Sequence, residues 1–147
     1  MFGSVRHAAV ALTVIGVLMI VAPASASAAL TMSLPAQAEL TAGVLVTVPV
    51  TVTCGPYEFQ PDRSGLSVTI RQASKKAIAR GSFFTGGFDN FLTCDGAPHV
   101  YAVNVLADTG GPPFRKGVAV VEASAFAVTG CCTSDSASVA PQVIRLR

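Results

Sequence analysis

Between Val44 and Cys54 the chain alternates without a slip: Val44, Val46, Val48, Val50, Val52 and Cys54 fall on one side, Leu45, Thr47, Pro49, Thr51 and Thr53 on the other. A strand sorts such a pattern into one buried and one wet face, because its successive side chains point to opposite sides. A helix would scatter it around its whole circumference. Pro49 has no N–H to give a ladder, so it predicts an edge position or a bulge near mid-strand.

The same period recurs. Leu66, Val68 and Ile70 alternate with Ser67, Thr69 and Arg71, and the polar turn Ser74-Lys75-Lys76 reverses the chain into a second strand over about 77–84. From His99 to Ala107, Tyr101, Val103 and Val105 share a face, and Gly110-Gly111-Pro112-Pro113 ends the run. In 117–128 the alanines are compatible with a helix, but Val118, Val120, Val121 and Val128 are β-branched and the polar residues fall two apart, so a strand is expected. It turns Ala119, Val121, Ala123, Ala125 and Ala127 one way. Residues 143–147 form the last strand and residues near 30–34 the first. About seven strands spaced by turn signals predict an immunoglobulin-like antiparallel β-sandwich.

The N-terminus reads as a leader. Arg6 and His7 precede an apolar run from Ala8 to Val21, shorter than the roughly 20 residues of a membrane span. Pro23 and two overlapping small-x-small frames follow, which places cleavage after Ala26 or Ala28 and leaves residues 29–147 as one domain. The chain carries ten Lys and Arg against eight Asp and Glu, and losing Arg6 leaves nine against eight. That balance gives no reason to expect nucleic acid or an anionic membrane as partner, and no stable membrane span remains after cleavage.

An exported chain meets an oxidising compartment, so Cys54, Cys94, Cys131 and Cys132 are expected to form two disulfides in one of three pairings. In the strand order of such a sandwich the second and fifth strands are antiparallel neighbours, which brings Cys54 near Cys94. Cys131 and Cys132 then close a vicinal ring, or the two pairs split between them. Zinc is the competing use of four thiols, but adjacent cysteines make awkward joint ligands and no C-x-x-C spacing is present.

Catalytic signals are weak. His99 is the one histidine beyond the leader, and although Asp95 is near, no Gly-x-Ser-x-Gly elbow supplies a nucleophile. Glu58 with Asp62, and Asp89 with Asp95, lack the patterning of a glycosidase pair or a calcium loop. No catalytic residue, metal or cofactor is therefore assigned. Two surfaces stand out instead. Arg71, Lys75, Lys76 and Arg80 cluster on one hairpin, suited to an anionic glycan or an acidic partner, or simply to keeping a sheet edge soluble. Phe83, Phe84, Phe88 and Phe91, half of the eight phenylalanines, surround Gly86-Gly87 and, with Tyr101, form either a ligand surface or a lid on the core.

Two stretches carry a resemblance. Phe91-Leu92-Thr93-Cys94-Asp95-Gly96-Ala97-Pro98-His99-Val100-Tyr101-Ala102-Val103 and Pro113-Phe114-Arg115-Lys116-Gly117-Val118-Ala119-Val120 resemble small secreted immunoglobulin-like proteins of high-GC Gram-positive bacteria. The resemblance implies a sandwich and a secreted address, free or wall-associated, and no activity. A more distant similarity, in size, compartment, fold and disulfide count, is to apoproteins of the neocarzinostatin type. It implies a carrier of a small apolar ligand. The expectation is a secreted, non-enzymatic binding module whose partner is a protein, a glycan or a small apolar ligand, with a small hydrolase or inhibitor as the remaining alternative.

Overall fold

The computed structural model describes residues 30–58, 60–86, 90–130 and 133–147, and the leader expected at residues 1–28 lies outside them. Eight strands are present: β1 (Thr31–Ser33), β2 (Gln37–Thr41), β3 (Leu45–Thr53), β4 (Arg63–Ser74), β5 (Ala77–Thr85), β6 (Pro98–Ala107), β7 (Gly117–Thr129) and β8 (Thr133–Leu146). The alternation read from the sequence sets their inner faces. Val46, Val48, Val50 and Val52 of β3, Leu66, Val68 and Ile70 of β4, and Val103 and Val105 of β6 are fully buried, with Ala119, Val121, Ala123, Ala125 and Ala127 of β7 and Ile144 and Leu146 of β8 beside them.

The sandwich expectation is corrected. The strands close into a seven-stave β-barrel in the order β3, β6, β5, β4, β7, β8, β2 and back to β3, with β1 pairing the far end of β3. Two contacts close what would otherwise be open edges. β2 runs parallel to β8 through Gln37↔Arg145 and Ala38↔Leu146, flanked by backbone bonds from Leu40 N–H to the Arg147 carbonyl and from Arg147 N–H to the Ala38 carbonyl. β5 meets β6 through Gly81↔Ala107 and Ser82↔Leu106, and Asp108 N–H extends that seam to the Arg80 carbonyl. Gly81 makes the second seam possible, since a Cβ there would collide with the Leu106 carbonyl oxygen. The small alanine face of β7 lets the walls approach, and the interior is packed with side chains, as a barrel of this size requires.

Pro49 is neither at an edge nor in a bulge. β3 pairs with β6 along its whole length. On its other side, β2 covers residues 45–47 and β1 covers 51–53, so Pro49 falls opposite the break at Leu34 to Ala36 between them. The missing donor is placed where the ladder is interrupted.

The two barrel ends differ. At one end Phe114, 2% exposed, plugs the core, its N–H bonded to the Gly43 carbonyl beside the β4–β5 hairpin. At the other, a disulfide joins Cys54, just after β3, to Cys94, just before β6. The pairing expected from β3 and β6 being neighbours is thus present. With these two sulfurs joined, the four-thiol set needed for zinc does not exist. Cys131 and Cys132 lie outside the described residues.

Candidate functional site: a basic groove at the plugged end

The sequence-read cations do meet. Arg71 and Arg80 are direct cross-strand partners on the outer face of β4 and β5, and Lys75 and Lys76 form the exposed tip of the same hairpin. The fold adds two more. The corner that follows the Phe114 plug brings Arg115 and Lys116 against the end of β4. The result is a groove of about 500 Å³ whose walls carry Arg71, Lys75, Arg115 and Lys116 and no carboxylate.

A single buried side chain fixes that corner. Gln72, 5% exposed, accepts a hydrogen bond from Arg115 N–H at 2.7 Å through Oε1 and donates through Nε2 to the carbonyls of Arg115 at 2.7 Å and Val118 at 3.2 Å. Its amide thus does the work of one more ladder rung where the chain turns too sharply to pair. Among the described residues, the one carboxylate paired with these cations is Glu122, 3.6 Å from Arg71. The cations repel one another, and an anion placed between them relieves that repulsion.

A second groove, of about 380 Å³, lies further along the outer face of β4, β7 and β8. Ser67, Thr69, Glu122, Ser124 and Ser138 line it on one side and Val139, Ala140 and Pro141 on the other. A third, of about 390 Å³, is lined by Gln37, Glu39, Thr47, Pro49 and Arg147. None of these three grooves has a phenylalanine in its wall.

The phenylalanine segment is divided by the fold. Phe83 and Phe91 are half-buried against the core, and the Phe91 ring lies 5.3 Å from that of Tyr101, whose hydroxyl accepts a hydrogen bond from Thr93 N–H. Ser64, fully buried, accepts bonds from the N–H groups of Phe91 and Leu92 and holds this strap over the disulfide end. Phe84 points the opposite way and is 67% exposed. Phe88 lies outside the described residues. The five aromatic residues therefore do not form one surface: three are packed over the end of the core and Phe84 stands apart.

The remaining candidates sit around that same end. His99 Nε2 is 2.9 Å from Asp95 Oδ1, which also accepts from Ala97 N–H in an exposed turn. The bond to His99, then that to Ala97, holds the Asp95 carboxyl below its ordinary range. Among the described residues, no serine hydroxyl bonds to His99. Glu58 and Asp62 are exposed, and Asp89 lies outside the described residues. Sequence reasoning missed one interaction here. Tyr57 donates to Asp135 at 2.8 Å, and burial, then that hydrogen bond, then the negative charge of Asp135 push the phenol up to about 12.

No protein-family model and no curated protein matches the chain.

Proposed function

We propose that the protein is a secreted, non-catalytic binding module that holds an anionic ligand in the basic groove. The observation that carries this reading is the convergence of Arg71, Lys75, Arg115 and Lys116 on one groove whose walls hold no carboxylate, on a corner held by the three hydrogen bonds of Gln72. Two cations come from a hairpin and two from a distant corner, so the cluster is built by the fold. Scattered solubilising lysines need no such anchor. The Cys54–Cys94 disulfide and the leader pattern support a site of action outside the cytoplasm.

Titration calorimetry with inorganic polyphosphate tests it. Wild-type protein binds, more weakly as salt is raised, and Lys75→Glu with Lys116→Glu lowers the affinity by about tenfold or more through loss and reversal of two charges. Absence of binding at low salt, or an affinity unmoved by that double change, overturns the proposal.

A further inference from the structure

The second groove has the chemistry of a sugar site, and it abuts the first. Ser67, Ser124 and Ser138 lie in one cross-strand row, with Thr69 and Glu122 in the next. The side chains of Ser67, Thr69, Glu122 and Ser124 are on the outer face, because their neighbours Leu66, Val68, Ala123 and Ala125 are buried inside, and Ser138, exposed, is the cross-strand partner of Ser124. The depression itself comes from the register shift between Val121 and Ala123, where β7 and β8 fall out of step. Among the described residues, none of the four hydroxyls hydrogen-bonds to another protein group. Each is therefore free to donate and to accept.

Phe84 completes the arrangement. It is the direct cross-strand partner of Ser67, so its exposed ring stands at the end of the hydroxyl row, one strand spacing away. A sugar ring has hydroxyls around its rim and weakly positive C–H groups on its face. The rim suits the serines, threonine and Glu122, while the C–H face suits the negative face of an aromatic ring.

The two grooves meet at the Arg71–Glu122 pair, since Arg71 lines the basic groove and Glu122 the hydroxyl groove. Ser67, Thr69 and Arg71 are alternate residues of one strand, a run of about 13 Å before the basic groove continues it. We infer that the two grooves form one track for an acidic polysaccharide, with sugar rings in the hydroxyl groove and their charged substituents in the basic one. This rests on the anionic-ligand reading above and narrows it.

Calorimetry on the intact protein separates the two claims, with polygalacturonate as the acidic polysaccharide and inorganic polyphosphate as a polyanion without sugar. Ser124→Val with Ser138→Val removes both hydroxyls with a residue that favours strands, and Phe84→Ser removes the ring. Each variant is expected to weaken polygalacturonate binding by about tenfold, the loss of one or two net hydrogen bonds or one ring contact, and to leave polyphosphate binding unchanged. Thermal melts of both variants confirm that they are folded. Equal polygalacturonate affinity in wild type and variants, with polyphosphate still bound, overturns the sugar track and leaves the anion site standing. If wild-type protein binds neither polymer, both readings fall.

Discussion

The side-chain amide of Gln72 and the backbone of Arg115 hydrogen-bond to each other in both directions, N–H to Oε1 and Nε2 to carbonyl, each at 2.7 Å. The glutamine thereby imitates a strand neighbour. Gln72→Leu leaves an N–H and two carbonyls without that partner and is expected to cost about 2 kcal/mol in denaturant unfolding. Although no charge is removed, polyphosphate binding should weaken as Arg115 and Lys116 lose their fixed position. Gln72→Glu keeps the acceptor but turns the donor toward two carbonyls into a second acceptor, so it should not restore either property.

Gly81→Ala tests barrel closure. The added methyl meets the Leu106 carbonyl oxygen, and either β5 or β6 must move away. A loss of about 2 kcal/mol is expected from such overpacking, with faster hydrogen exchange at the amides of Leu106 and Asp108, which face β5. Unchanged exchange there would show that the seam does not depend on the glycine.

The fold was partly legible in advance. Valines at every second position of β3 and the leucine, valine and isoleucine of β4 identify their inner faces without any knowledge of neighbours. Closure is different, because it depends on which distant edges meet, and the signal for it is one glycine in an otherwise regular strand. The first half of β8 was also missed. Ser134, Ser136 and Ser138 alternate with Ala137 and Val139, but small and weakly apolar residues give too little contrast to separate a strand from a serine-rich loop. At the site, Arg71 and Lys75 were visible as a local cluster, whereas Arg115 is 43 residues from the glutamine that holds it. No local pattern encodes that pairing. The serine row was illegible for the same reason, as each serine comes from a different strand.

Cys54→Ala with Cys94→Ala should destabilise the protein by about 4 kcal/mol, the chain-entropy value for a loop of this size. The two cysteines are 40 positions apart, and the loop they close includes β4 and β5. Thermal unfolding of the double variant beside reduced wild type measures it, and the two should agree.

Tyr57 predicts a loss of stability in strong alkali. Its folded-state pKa, about 12, lies above the ordinary 10.0. The stabilising contribution is therefore complete below pH 10 and lost as pH rises from there through about 12. With Tyr101→Phe, Tyr57 is the one remaining phenol, and its phenolate absorbance should rise with a midpoint well above 10.0. Tyr57→Phe should remove this alkaline sensitivity and cost about 1.5 kcal/mol at neutral pH.

The two seams that β6 makes are unequal. With β3 it forms nine register pairs, from Leu45↔Leu106 to Thr53↔Pro98, but with β5 only Gly81↔Ala107 and Ser82↔Leu106, both toward the plugged end. The barrel is therefore hooped all round toward its plugged end and parted between two staves toward the other, where Ser64 holds the strap at Phe91 and Leu92. The cationic groove sits on the hooped rim. Its backbone positions are set before any ligand arrives, and what binding must order is confined to the ends of a few long side chains.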